Sequence, residues 1–382
     1  MESNAKIFSG TGSQYLAEKI AKPPGSRRAS SVQVESVRVR HTDLDAFIRA
    51  LLCAKGMGTD DAATAAEVFV WADLHGVSTH GAAWLPMTVQ LIEEGSLNVR
   101  ARPHLTIDMP ARIVMEADSA AGSIAMMQAT RAACDRAALA GVCIASIRNC
   151  THTGPIGRYA TLAAKSGCAA IILVAGPPFM AYHGSRVASL STSPIAMAVP
   201  GPGGEPIVLD IATSMIPFSK LRQARLMGTP VPEGAALTVE GKPTTDPAQA
   251  FVPVPIGGHK GSGLSLMTEL LTSVLVGNAI LTDHLPSTGT HRHTQNALIV
   301  TMKVSAYRPD EAFARDVAEL AALIKGLPRA DQAIEIRLPG EQRARVARVR
   351  QAYGIPISGP VWAALVNIAR IAAIDPPEVL KP

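Results

Sequence analysis

The chain has 382 residues, 47% of them hydrophobic and 18% charged, an ordinary globular composition with enough apolar material for a sizeable core and two or three domains. A net charge of +5 is modest, and Arg343, Arg345, Arg348 and Arg350 are spaced around a helix with no aromatic residue between them, which reads as a solvated face rather than a nucleic-acid surface. Five cysteines (Cys53, Cys134, Cys143, Cys150, Cys168) without a Cys-x-x-Cys pair argue against a disulfide framework or a thiolate zinc site and fit a cytoplasmic protein, and no apolar run reaches the roughly 18 residues a membrane span needs.

Residues 1–36 form a Gly/Ser/Arg-rich leader without the apolar core of a signal peptide, read as a flexible extension or a fusion scar. Within it Lys6–Lys19 resembles the opening of phosphoribosyl-pyrophosphate synthetases but is too short to carry that chemistry, and Arg27–Ser30 has the form of a basophilic kinase substrate. Folded patterning begins near Val37. Thr42–Asp45 offers an N-cap to a helix carrying Leu44, Phe47, Leu51 and Leu52. A second helix is predicted at about 60–74, opened by Asp60 or Asp61, and a third at about 83–94, ended by Gly95.

Further along, a helix at 122–141, a strand at Val142–Ile147, a helix at about 155–166 and strands at Ala169–Ala175, Ile195–Val199 and Ile207–Ile211 alternate as in an α/β domain. Gly201–Gly204 reads as a hairpin turn. Gly261–Leu275 places Leu264, Met267, Leu271, Val274 and Leu275 on one helical face. A strand at Asn296–Val304, a helix at 310–326, a strand at Ala333–Leu338 and helices at 341–352 and 359–373 complete the chain. The predicted organisation is an N-terminal helical segment (37–117), an α/β domain (118–340) and a helical tail (341–382) that packs back on the first segment.

Three histidine-bearing turns carry candidate chemistry. In Gly76-Val-Ser-Thr-His-Gly81 an imidazole sits beside a hydroxyl between helices, a pair able to exchange a proton near neutral pH. Asn149-Cys-Thr-His-Thr-Gly154 follows a strand, where α/β proteins line their ligand crevices. Gly257-Gly-His-Lys-Gly-Ser-Gly263 opens a helix, and its glycines, helix N-terminus and Lys260 suit a phosphate or pyrophosphate. Each turn has a purely structural alternative. His291-Arg-His293 could chelate a metal but has no carboxylate or thiolate nearby, so no metal site is assigned. The Gly-x-Gly-x-x-Gly fingerprint and the P-loop are both missing.

In order, Ala72–Gly81, Arg148–Gly154, Ser193–Ala196, Val208–Ser214, Pro232–Gly234, Thr244–Pro247, Gly257–Gly261, Leu338–Glu341 and Gly354–Pro356 make the chain resemble the malate/L-lactate dehydrogenase-like oxidoreductases from about residue 37 to 373. That family includes ureidoglycolate, sulfolactate and diketogulonate oxidoreductases and reductases of cyclic imino acids such as piperideine-2-carboxylate. The resemblance implies a non-Rossmann nicotinamide-binding α/β domain with a mainly helical second domain, a homodimer, and NAD or NADP as cofactor. It implies hydride transfer between nicotinamide and C2 of a small-molecule 2-hydroxy or 2-oxo acid, or reduction of a C=N bond. The acid/base role falls to His80 or His152, with Thr79 as a charge relay. Cofactor contacts are assigned to Thr153, Gly154, Asp210, Ile211, Ala212, His259, Lys260, Gly261, Gly340 and Glu341, and substrate contacts to Trp84, Thr192 and Arg186.

Two departures stand in the substrate turn. Thr79 replaces the family's serine and Trp84 its carboxylate-gripping arginine, and Thr153 replaces an aromatic residue after the second histidine. Losing a bidentate cation predicts poor use of malate and lactate and better use of larger or more apolar substrates, with Arg186 or Lys220 holding any carboxylate. A nicotinamide-binding protein with little turnover and a metal-dependent hydrolase or lyase are the competing classes.

Overall fold

The structure is a computed structural model that describes residues 36–284 and 293–380. The leader motifs, and His291 and Arg292 of the candidate chelate, lie outside the described residues. The chain forms two compact units, one of residues 36–174, 194–211 and 296–380 and a smaller one of 175–193, 212–284 and 293–295.

The larger unit starts with β1 (Val37–Val39), α1 (His41–Ala54) and α2 (Thr59–Leu74). Leu44, Phe47, Ile48, Leu51 and Leu52 recur at helical spacing and are buried, so one face of α1 enters the core. The predicted cap does not form: α1 begins at His41 behind Arg40, and the Thr42 hydroxyl turns to Asp43 instead. Asp60 and Asp61 occupy the first turn of α2, where negative charge complements the helix dipole. The helix predicted at 83–94 is two pieces, a 3₁₀ turn Ala82–Trp84 and then α3 (Leu85–Glu93) with Pro86 in its first turn.

Next come β2 (His104–Met109), β3 (Arg112–Glu116), α4 (Gly122–Ala140), β4 (Val142–Cys150), α5 (Gly157–Lys165), β5 (Cys168–Ala175), β6 (Ile195–Val199) and β7 (Ile207–Ile211). The rest of the unit is β8 (Gln295–Lys303), α6 (Asp310–Lys325), α7 (Glu341–Tyr353), β9 (Ile355–Ile357) and α8 (Gly359–Ile371). A seven-stranded mixed sheet runs β2-β3-β4-β8-β5-β6-β7. β3 and β4 are parallel, while β2–β3, β5–β6 and β6–β7 are antiparallel, the last pair joined through Gly201–Gly204. Ala125, Ala129, Ala133 and Ala137 of α4 share one core with Ala145, Ile147, Ile172 and Ala297 of the sheet, and such small side chains let the helix lie close to the strands.

The chain ends close a second core. β9 pairs antiparallel with β1, Val37 opposite Ile357 and Val39 opposite Ile355, and Leu365 and Ile368 of α8 join Leu44, Leu52 and Leu85. Ala333–Leu338 is not a strand: among the described residues it has no strand partner, Ile334 is exposed, and Glu335 bonds to Arg337 and Arg345.

The smaller unit holds two short antiparallel pairs, Met180–Ala181 with Ala188–Leu190 and Ala236–Leu237 with Val252–Pro253, and the helices Phe218–Met227 and His259–Thr272. The second helix is inverted relative to an ordinary amphipathic one. It buries Gly261, Ser262, Ser265, Thr268, Glu269 and Thr272, whereas Leu264 and Met267 on its apolar face are 48% and 51% exposed, and Leu275 just beyond it 68%. The buried polar groups find partners: Ser265 with Ser191 and Ser193, and Glu269 with Ser273 and the N–H groups of Ile280 and Leu281.

Candidate active site

In the larger unit, α2 ends at Leu74 and the chain winds through a 3₁₀ turn, Ser78–His80, into the second at Ala82–Trp84. Asp73, 1% exposed, lies beneath this turn. Its Oδ2 accepts the Ala82 N–H at 2.7 Å. Gly81 is obligatory here, since a Cβ would fall 2.3 Å from the Asp73 carboxylate. Arg350 of α7 donates to the Asp73 carbonyl and, at 3.3 Å, to the Ser78 hydroxyl. Burial raises the Asp73 carboxyl to about 7, against the opposing pull of the Ala82 N–H, Arg350 and Ser78.

That elevation makes stability depend on pH. Unfolded, the carboxyl titrates near 3.8; folded, near 7. Between these values the folded chain holds a proton the unfolded chain has lost, so stability falls as pH rises from about 4 to about 7. Asp73→Asn is expected to flatten this loss, on the order of a few kcal/mol. Denaturant melts at pH 5 and pH 8 check it; equal slopes in both proteins would mean the carboxyl is ionised throughout.

His80 leaves the turn with Nδ1 3.0 Å from the Thr79 hydroxyl. Burial lowers its pKa, Asp210 pulls the other way and Arg343 adds to the lowering. A neutral imidazole at pH 7 follows, with the hydroxyl donating to Nδ1 or accepting its proton according to the tautomer.

His152 comes from the end of β4. Asn149 takes a left-handed conformation (φ 59°), its N–H bonds to Asn296 and its side-chain amide to Glu116, so the chain turns sharply at the strand end. Thr151 is tied to the Ala120 carbonyl through both N–H and hydroxyl. Gly122, opening α4, lies so close that a Cβ would sit 2.4 Å from the Thr151 carbonyl oxygen. The imidazole of His152 stacks between Trp84 (centroids 4.3 Å, 29°) and His80 (5.2 Å, 23°). The three rings border a narrow cavity otherwise lined mainly by apolar side chains, among them Leu52, Met57, Val68, Phe69 and Leu91. Thus Thr79, His80, Trp84 and His152 are brought together.

Other predicted residues fall nearby or apart. Thr153 is buried and its carbonyl accepts the Tyr159 hydroxyl, while Gly154 is left-handed (φ 72°). Asp210, at the end of β7, accepts the Gly157 N–H at 3.2 Å and Arg343 of α7 at 2.7 Å; Ile211 beside it is exposed. Gly340 (φ 85°) turns into α7 against Val208, and Glu341 pairs with Lys325 at 2.6 Å. Arg343 and Arg350 correct the expectation of a purely solvated arginine face: both reach the site turns, and Arg345 meets Glu335. Together with Asp73 these are the site residues the sequence reading did not name. The arginine spacing was the available signal, but the partners are 133 or more positions away.

In the smaller unit, Gly257 (φ 58°) and Gly258 (φ 61°) open the helix His259–Thr272. Gly261 packs so tightly that a Cβ would lie 2.4 Å from the Ile256 carbonyl and 2.8 Å from that of Thr213. His259 and Lys260 are exposed at this helix mouth. Ala212 precedes Thr213, whose N–H and hydroxyl both donate to the Thr192 carbonyl. Arg186, with Tyr182, His183, Met215 and Glu240, lines a cavity of about 840 Å³. Lys220 is exposed on the helix Phe218–Met227.

Residues 39–366 match the family model for malate/L-lactate dehydrogenase. A malate dehydrogenase of Pyrococcus abyssi is 30% identical over 353 residues, covering 90% of this chain and 97% of that one. A ureidoglycolate dehydrogenase (NAD(+)) of Escherichia coli O157:H7 is 32% identical over 241 residues, covering 63% and 69%. The solved structure of a delta1-piperideine-2-carboxylate reductase from Pseudomonas syringae pvar. tomato superposes with a TM-score of 0.76 at 28% identity, over 87% of this chain and 99% of that one.

Proposed function

The chain belongs to the malate/L-lactate dehydrogenase family and is an oxidoreductase, and from that premise we propose that it uses NAD or NADP to interconvert a 2-hydroxy acid and a 2-oxo acid. The observation that carries this reading is the neutral, Thr79-bonded His80 stacked in line with His152 and Trp84. Bound nicotinamide would supply or accept the hydride. Thr79 and His80 do the proton work. With Nδ1–H bonded to Thr79, Nε2 takes the hydroxyl proton in oxidation, and the imidazolium so formed returns that proton in reduction. The apolar walls beside the rings keep water from the reacting carbon.

The residues fit such a cofactor. The left-handed glycines and the close-packed Gly261 bring bare backbone to a helix mouth that carries Lys260, an arrangement suited to a pyrophosphate. Within the smaller unit Ala212 and His259 are further proposed contacts; within the larger unit Thr153, Gly154, Asp210, Ile211, Gly340 and Glu341 are. Lys260→Ala is expected to weaken NADH or NADPH binding about tenfold or more, because charge-assisted bonds contribute roughly 1.5–3 kcal/mol. Fluorescence titration measures this, and unchanged affinity removes Lys260 from the site.

A second reading, reduction of a cyclic imine, is favoured by Trp84, whose flat face suits a ring better than a carboxylate. Assaying 2-oxo acids with and without amine, and preformed Δ1-piperideine-2-carboxylate, with NADH and NADPH separates the readings. Cofactor binding without turnover on the whole panel would leave only a nicotinamide-binding protein. We place the enzyme in the cytoplasm as a homodimer. The apolar face exposed by the helix His259–Thr272 supports contact with a second copy. Among the described residues no helix is long and apolar enough to cross a membrane.

A further inference from the structure

We propose that Asp73 is a positioning residue: its buried carboxylate holds the Ala82 end of the turn carrying Thr79 and His80, its carbonyl is tied through Arg350 to the Ser78 end, and together these set the imidazole for proton transfer. The inference rests on the reading of His80 as the proton-exchanging group. Neither residue type nor position marks Asp73 as part of the chemistry, for it lies on α2, below the turn and away from the ring stack.

The geometry is specific. The turn runs from Ser78 to Ala82; the Asp73 carboxylate accepts the Ala82 N–H at 2.7 Å at one limit, and Arg350 joins the Asp73 carbonyl to the Ser78 hydroxyl at the other. Thr79, His80 and Gly81 are the residues enclosed. Within the turn only weaker 3₁₀-type bonds hold the backbone, His80 N–H to Val77 O at 2.9 Å and Gly81 N–H to Ser78 O at 3.2 Å. No residue with a Cβ fits at position 81 without displacing the carboxylate. Arg350 locks the arrangement from α7 by bonding the Asp73 carbonyl and Ser78 together. A buried carboxylate costs stability unless its lone pairs are met, and here one is spent on the backbone N–H that closes the turn. A site for an imidazole must be accurate to a fraction of an ångström, which a bare 3₁₀ turn does not provide.

Loss of the clamp therefore acts on His80 rather than on the cofactor. A loosened turn lets water reach the imidazole and breaks its contact with Thr79. The groups that face His80 from other elements, Asp210 from β7, Arg343 from α7 and His152 from the end of β4, stay in place. The imidazole pKa then rises toward its ordinary value, because burial is what lowers it.

The test compares full-length wild type, Asp73→Ala, Asp73→Asn, Ser78→Ala and His80→Gln on whichever of oxaloacetate, pyruvate, phenylpyruvate and Δ1-piperideine-2-carboxylate the wild type uses best. Asp73→Ala is expected to lower kcat about thirtyfold or more while the cofactor Kd stays within about twofold, and to move the alkaline limb of the kcat–pH profile for reduction upward. Asparagine keeps an acceptor for the Ala82 N–H, so Asp73→Asn is expected to recover kcat to within about tenfold and restore the alkaline limb. If Asp73→Ala does not fold, Ser78→Ala decides the matter, with an expected loss of about tenfold in kcat and the same shift of the limb. Normal kcat and an unmoved limb in the folded variants, with His80→Gln inactive, would overturn the clamp alone. Normal turnover in His80→Gln would instead overturn the assignment of His80 on which it rests.

Discussion

Replacing either His80 or His152 by alanine is expected to lower kcat by at least about a hundredfold, the low end for general acid–base catalysis. The two losses have different origins. His80 is the ring with a hydroxyl partner and a depressed pKa, so its removal eliminates the proton carrier. The depressed pKa keeps it in the neutral, base-competent form below pH 6.5, so the acid limb for hydroxy-acid oxidation lies below that value in wild type and disappears in His80→Ala. His152 is the middle ring of the stack, with Trp84 on one side and His80 on the other. Its loss removes the surface against which both neighbours are placed. Steady-state rates across pH, with cofactor affinity measured separately, decide between them. A variant that keeps near-normal turnover and normal cofactor affinity identifies a ring that only packs.

Trp84→Arg is expected to redirect substrate choice. The indole has one donor and a broad apolar face, and here that face is laid on His152 beside a cavity lined mostly by aliphatic side chains and Phe69. It cannot form the bidentate contact a guanidinium makes with a carboxylate. Wild type is therefore expected to use oxaloacetate and pyruvate poorly and more apolar or ring-shaped 2-oxo acids or imines better. An arginine at 84 should raise kcat/KM for oxaloacetate roughly tenfold to a hundredfold relative to an aromatic 2-oxo acid, as a charge-assisted pair of about 1.5–3 kcal/mol implies. Cofactor affinity should not change. Measuring kcat/KM for oxaloacetate, pyruvate and phenylpyruvate in both proteins tests this. A wild type that already prefers oxaloacetate would show that Trp84 does not select the substrate.

The helices were the most legible part of the chain, because their signals are local. Leu44, Phe47, Leu51 and Leu52 recur every three or four residues and mark the buried face of α1 wherever the rest of the chain goes. The glycine turns were legible for the same reason: Gly81, Gly154 and Gly261 stand in short motifs whose backbone demands are met within a few residues. The strands were read where both faces are covered, as in β5. They were missed at β2, where most positions are exposed and no alternation survives, and at β1, β3 and β9, which are only three to five residues long. The stretch Ala333–Leu338 looked like a strand, but a strand exists only with a partner, and among the described residues it has none.

The site divides along the same line. His80, His152 and Lys260 were marked by their own turns. Nothing local says that His152 lies between Trp84 and His80, because that depends on where β4 ends relative to a turn some seventy residues earlier. Nor could spacing show that two arginines of α7 find partners far along the chain, one at Asp210 and one at Asp73 and Ser78. By itself the sequence determined which residue types can exchange a proton or meet a phosphate, since those properties belong to each side chain. Their pKa values, their partners and the face they present were decided by tertiary structure, since desolvation and hydrogen bonding depend on chain segments that only folding brings within a few ångströms.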